Sequence, residues 1–185
     1  MSSATFRSAL NLSPAERTTR RRRKDARPSE LTAAALELFV EQGFAATRLD
    51  HVAARAGVSK GTLYLYFNSK EALFKAVVED GMVAALVAAE QHLSDHHGSA
   101  TELLQQLLRG WWEQIGSTSM AGVSKLIIAE SRNFPELAQY YRERVIRRGR
   151  ALLRSALQRG IDAGEFRPVD VEATVDVIIA PLLML

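Results

Sequence analysis

The stretch TRLDHVAARAGVSKGTLYLYFNSK, residues 47–70, decides how the chain folds. Thr47 is placed to cap a helix, since its hydroxyl can accept a hydrogen bond from a first-turn N–H. Leu49, Val52, Ala53 and Ala56 then fall at helical spacing on one face. Gly57 predicts the stop, because glycine takes the left-handed turn conformation without steric cost. Val58 fills the corner, and Ser59 caps a second helix carrying Lys60 to Phe67. Leu63 and Phe67, four apart, face inward, which leaves Lys60, Gly61, Thr62, Tyr64 and Tyr66 outside. That outer face offers a cation, hydroxyls and one residue without a side chain. It suits the major groove of DNA, where such donors meet phosphates and base edges and a glycine lets the backbones come close. The spacing alone also permits a plain helical hairpin with a solvated face, because the pattern is loose.

The flanks extend the pattern. Pro28-Ser29-Glu30 opens a preceding helix whose Leu31, Ala34, Ala35, Leu38 and Phe39 share a face and which Gly43 ends. Phe44 then packs back beneath the next two helices, so this helix braces the pair. Asn68 or Ser69 caps a long fourth helix that runs to about His97, with Leu73, Phe74, Val77 and Val78 as its early apolar face. Gly81 and the alanine-rich run to Ala89 imply close helix packing there rather than a break.

The run Gly57 to Phe67, followed by Ser69-Lys70-Glu71-Ala72-Leu73 and preceded by Ala35-Leu36-Glu37-Leu38-Phe39, Gly43-Phe44 and Thr47, closely resembles the signature of TetR-family transcriptional regulators. The resemblance covers about residues 31–77; beyond that it is one of architecture. It implies an all-α fold: an N-terminal three-helix helix-turn-helix DNA-binding domain, then a larger helical ligand-binding and dimerisation domain. It implies a homodimer on a double-stranded, near-palindromic operator, released by a small-molecule effector, with no cofactor. Carried over by position, Thr47, Tyr64, Tyr66 and Lys70 would bind phosphate, and Lys60, Gly61 and Thr62 would face base edges. Chains of this kind usually close with one more helix, so residues are expected beyond Leu185, where the sequence stops inside an apolar run.

The rest of the chain reads as helices. Residues 101–115 carry Leu103, Leu104, Leu107, Leu108, Trp111 and Trp112 as a wide apolar stripe; residues 120–132 carry Val123, Leu126, Ile127 and Ile128. Pro135 starts a long helix that Gly164 ends, and Val169-Asp170 opens a last one. No segment alternates with period two, so no strand is expected. Trp111, Trp112, Met120, Ile127, Phe134 and Tyr141 are candidates for an apolar ligand pocket, although aromatic stripes at helical spacing are commonly plain core. Leu152, Leu153, Leu157, Ile161, Val175, Ile178, Ile179 and Leu182 exceed what one small domain needs to cover itself and point to a two-fold, four-helix interface.

Composition bounds the alternatives. There is no cysteine, which excludes disulfides and thiolate chemistry. No apolar run is long enough to span a membrane and no signal-peptide core opens the chain, so the cytoplasm is the default compartment. Residues 1–70 carry 12 Lys and Arg against 6 Asp and Glu, whereas residues 71–185 carry 12 against 15. The anionic partner therefore belongs to the first segment. The Ser-, Thr- and Arg-rich residues 1–27 read as a disordered basic arm, whose run Arg20-Arg21-Arg22-Arg23-Lys24 either follows phosphates, stays solvated, or serves as a membrane-surface or localisation patch. His92 and His96 are spaced to share a metal, but no third ligand joins them, and a solvated helix C-terminus is the plainer reading. His51 reads as a phosphate or solvent contact. No nucleophile–base pair, phosphate-cradling loop or metal set is present, so no catalysis is expected. The domains read as 1–27, 28–74 and 75–185. A nonspecific nucleic-acid binder, or a helical enzyme or carrier, stands as the alternative to a ligand-responsive repressor.

Overall fold

The computed structural model describes residues 14–184, with side chains from Pro28 to Leu183; every regular element among them is helical. The first, α1 (Pro14–Ala46), is broken at Gly43, whose φ of 85° is the left-handed stop expected there. Its helical backbone begins well before Pro28, so residues 14–27 are not the unstructured arm read from sequence. Arg, Lys, Glu and Ala are good helix formers, and Pro28, inside this helix, removes one of its backbone hydrogen bonds. Residues 1–13, and the side chains of the arginine run, lie outside what the structure describes.

Two short helices follow, α2 (Leu49–Arg55) and α3 (Lys60–Tyr64). Gly57 turns between them at φ 66°, and Ser59 caps α3 by accepting from the Thr62 N–H at 3.1 Å. Arg55 ties α2 to α1 by donating to Glu37 (2.8 Å) and to both oxygens of Glu41 (3.2 and 3.0 Å). Ser69 caps α4 (Lys70–Val78), which passes through a π-helical turn, Glu79–Val83, into α5 (Ala84–Asp95). The turn carries Gly81 to its closest neighbour: a methyl there would overlap the Met120 side chain, at 2.3 Å. This is the tight packing, without a break, that Gly81 suggests.

Then come α6 (Ala100–Trp111), α7 (Ala121–Glu130), α8 (Pro135–Tyr141), α9 (Arg147–Asp162) and α10 (Val171–Met184). Pro135 opens α8 as expected, and α8 and α9 join through a second π-helical stretch, Arg142–Ile146. One apolar core runs without interruption from Leu31 to Tyr141, and a satellite of Leu153, Leu157 and Val175 lies between α9, α10 and α6. Leu152, Leu153, Leu157 and Val175 are therefore buried within the protomer, contrary to their assignment to a subunit interface. The helix pair α9–α10 had to be covered by its own neighbours first.

The end of α9 is fastened to the start of α6. Glu165 accepts from the Ala100 N–H (2.9 Å), the Thr101 N–H (3.0 Å) and the Thr101 hydroxyl (3.1 Å), while Arg159 donates to the His96 and Gly98 carbonyls. The backbone N–H bonds hold the Glu165 carboxyl below its ordinary value. A depressed carboxyl stabilises the fold above its unfolded-state pKa, about 4.3, and that contribution disappears as pH falls through the lower folded value. Glu165→Gln should therefore melt lower than wild type at neutral pH, and the gap should narrow as pH falls below the unfolded-state value of about 4.3. A gap that stays constant with pH would contradict this role.

Candidate nucleic-acid interface and effector cavity

Lys60, Gly61, Thr62 and Tyr64 do share the outer face of α3, but they are not equally available. Lys60 is held by Asp50 of α2 at 2.8 Å, and its Nζ lies 5.9 Å from the Tyr64 ring. The Lys60 hydrogen bond holds the Asp50 carboxyl down, and the same bond pushes the Lys60 ammonium up. Thr62 shares its hydroxyl with Ser59 at 2.9 Å. A methyl added at Gly61 would meet nothing nearer than the Ser59 hydroxyl, at 3.8 Å, so packing inside the chain does not demand glycine here. Tyr64 is 46 % exposed, whereas the Tyr66 ring packs against the core.

Two of the expected phosphate ligands point elsewhere. Thr47 is buried, and its hydroxyl lies 2.7 Å from the Gly43 carbonyl and 3.2 Å from that of Leu38. It does not cap α2, whose N-cap is Arg48 without a side-chain bond. The Lys70 ammonium donates to the Phe44 carbonyl at 2.7 Å and to that of Ala45 at 3.0 Å, and lies 4.5 Å from the Phe44 ring. Burial lowers its pKa. The Thr47 hydroxyl and two of the three Lys70 ammonium donors serve carbonyls left open where Gly43 interrupts α1. Three residues that sequence reading did not assign take their place on the surface. Arg48 is exposed and 3.5 Å from Asp50; Asp50 gathers both cations; and Leu65 is 82 % exposed, because α3 ends in a tighter turn with the Leu65 N–H bonded to the Thr62 carbonyl. Only the charge of Arg48, next to a helix start, was a readable signal.

A cavity of about 330 Å³ lies between α5, α6, α7, α9 and α10. Of the six expected pocket residues, Trp111 and Tyr141 line it. Met120 and Ile127 are core, Trp112 is half exposed, and Phe134 stacks edge-on against Phe44 at 4.7 Å. The wall is chiefly aliphatic, with no Asp, Glu, Lys or Arg in it. Its polar groups include a buried pair, Ser124 and Tyr141, whose hydroxyls are 2.8 Å apart, and an exposed pair, His92 Nε2 and Gln106 Oε1, at 2.6 Å. Among the described residues there is no cluster of His, Asp or Glu that could hold a metal, and no helix long and apolar enough to cross a membrane.

A helix-turn-helix mounted on a helical body with an apolar cavity has the architecture of a DNA-binding regulator. The sequence matches the model for bacterial regulatory proteins of the tetR family over residues 31–77 and that for a tetracyclin repressor-like C-terminal domain over residues 94–184. YfiR of Bacillus subtilis, an HTH-type transcriptional regulator, is 32% identical over 158 residues, 82% of this chain and 74% of the relative. The chain belongs to the TetR family of transcriptional regulators; it is a DNA-binding protein and not an enzyme. The fatty acid metabolism regulator protein of Bacillus subtilis is 26% identical over 146 residues, covering 78% of this chain and 74% of its own. A structure of FadR from Bacillus subtilis in complex with stearoyl-CoA superposes with a TM-score of 0.72 at 25% identity, covering 84% of this chain and 83% of that one.

Asp50 is paired with both Lys60 and Arg48 beside the outer face of α3. Asp50→Asn should release Lys60 and Arg48 and tighten binding to unrelated duplex as well as to a specific site. It should also steepen the plot of log affinity against log salt by about 0.9 for each additional phosphate neutralised. An unchanged slope would show that these cations do not reach DNA.

Proposed function

We propose that the protein is a repressor that grips a near-palindromic operator as a homodimer and lets go when an apolar or amphipathic acyl-type molecule enters the cavity. The observation that carries this reading is the cavity itself: about 330 Å³, chiefly aliphatic, and walled in part by α5, which continues from α4, and by α7, which packs on α1. Its size is at the lower end of the roughly 300–1,000 Å³ typical of small-molecule sites. The acyl class is suggested by the likeness to two regulators, one named for fatty acid metabolism and one solved with stearoyl-CoA.

DNA contacts are proposed for Lys60, Gly61, Thr62 and Tyr64, with Arg48 beside them and Tyr66 at the edge. Thr47 and Lys70 support the face from beneath. A single α3 reads too few base pairs for a genomic site, so two-fold pairing is required, with half-sites about one helical turn or more apart. The surface offered for pairing is the outer stripe of α10: Ala173, Val177, Ala180 and Pro181 are exposed, with Val177 at 73 %.

Two routes lead from cavity to reading face. Along α7, Ser124 lines the cavity and Glu130 accepts from the Ala45 N–H at 3.3 Å. Along α5 and α4, Met82 and Ala85 line the cavity and Lys70 holds the Phe44 and Ala45 carbonyls. A ligand shifts the DNA-binding equilibrium only by its differential affinity for the two states, typically about 1–3 kcal/mol.

Footprinting on the DNA flanking the protein's own gene should reveal a protected near-palindrome, and decanoyl-CoA or palmitoyl-CoA should displace the protein from it. Uniform protection without a preferred site would favour the nonspecific nucleic-acid reading. Val177→Asp should leave the fold intact, sediment as a monomer at micromolar concentration and lose the footprint. A dimeric Val177→Asp would place the interface elsewhere.

A further inference from the structure

The Ser124–Tyr141 pair asks for something the protein does not provide. Two hydroxyls carry two hydrogens, and only one of them can lie between oxygens 2.8 Å apart. Among the described residues neither oxygen has another hydrogen-bond partner. Both side chains are buried, at 6 % and 5 % exposure, and both line the cavity. The pair therefore presents one O–H donor without a protein acceptor, in a wall otherwise built from groups such as Met82, Ala85, Ile115 and Val145. A buried donor left unpaired is costly, more so than a made hydrogen bond is rewarding. Burial also pushes the Tyr141 phenol up from its ordinary value, so it stays protonated at neutral pH.

We propose that the Ser124–Tyr141 pair is a specificity device that selects an effector carrying a carbonyl oxygen on its apolar part, within the cavity, over an unfunctionalised hydrocarbon of the same shape. This rests on the reading of the cavity as the effector site. The second polar station, His92 with Gln106, lies exposed and meets the hydrated end of the ligand; the buried pair reads an oxygen beyond it. A ligand without that oxygen either leaves the donor unpaired or must enclose a water to serve it, and both reduce affinity.

The test compares 2-undecanone with 2-methyl-1-undecene, in which a methylene replaces the carbonyl oxygen and little else changes. Binding is followed by the fluorescence of Trp111, which lines the cavity. Wild type should prefer the ketone by about fivefold, the worth of one net hydrogen bond. Either Ser124→Ala or Tyr141→Phe alone leaves one hydroxyl able to donate, so the preference should persist. In the double variant both donors are gone, so the ketone enters with its carbonyl unpaired, and the ratio should fall to one or below while the alkene binds at least as well as before. Removing both partners at once leaves no orphan, so that variant should melt close to wild type. Equal affinity for the two probes in wild type, or a preference that survives in the folded double variant, overturns the proposal and leaves the cavity reading intact. If neither probe nor decanoyl-CoA perturbs the Trp111 signal or is bound by calorimetry, the cavity reading falls and the proposal with it.

Discussion

Where Gly43 breaks the first helix, the carbonyls of residues 43, 44 and 45 lose their helical partners, and the molecule is assembled around supplying new ones. Thr47 takes the first, and Lys70 takes the next two from 25 and more residues away. Glu130, from the far domain, accepts the Ala45 N–H. The ring of Phe44 meets Phe39 at 5.4 Å, Phe74 at 5.6 Å and Phe134 at 4.7 Å. Buried backbone groups must be paired and large rings must be covered, so this one turn recruits α1, α2, α4, α7 and the start of α8. The angle at which α3 is presented follows from it.

That junction also removes any clean division between the reading head and the body. The apolar core is continuous from Leu31 to Tyr141, and α4 runs unbroken across the boundary at residue 74 drawn from sequence. Val40 of α1 presses on α7 so closely that a methyl at Gly122 would overlap it, at 2.7 Å. Packed interiors move between discrete arrangements rather than yielding smoothly, so a displacement of α7 at Ser124 has a short path to Phe44. The ion pairs outside the core, Arg144 with Glu79, Arg148 with Glu90, and Arg150 and Arg154 with Glu172, bind α9 and the stretch before it to the α4–α5 rod and to α10. They are largely exposed and fix orientation more than they add stability.

Much of this could be read from the residues. Gly43, Gly57 and Gly164 sit at positive φ where the sequence asks for stops, and Ser59, Ser69 and Pro135 begin helices as their chemistry predicts. Leu63 is buried and Tyr64 exposed, as their spacing requires. What sequence could not convey was destination. A threonine before a helix and a lysine at the start of the next look like surface ligands, yet both are claimed by carbonyls made available at a distant break. Apolar stripes on α9 and α10 look like surplus, yet most of that surface is covered by α6 and the cavity walls. Likewise Trp112 belongs to the right stripe, but a rotation of about one residue along a helix separates a cavity wall from a surface, and Phe134, in the turn before α8, packs on Phe44 instead.

In the proposed switch, a ligand in the cavity acts on the DNA-binding end through the turn around Phe44, which Phe134 contacts. That link is tested by measuring decanoyl-CoA affinity with and without saturating operator, in wild type and in Phe134→Ala. Coupling is reciprocal, so operator must weaken ligand binding in wild type by the same factor as ligand weakens operator binding. Phe134→Ala should retain each binding event separately while the ratio of the two ligand affinities falls towards one. An unchanged ratio in a folded Phe134→Ala protein would contradict a role for this contact in the switch.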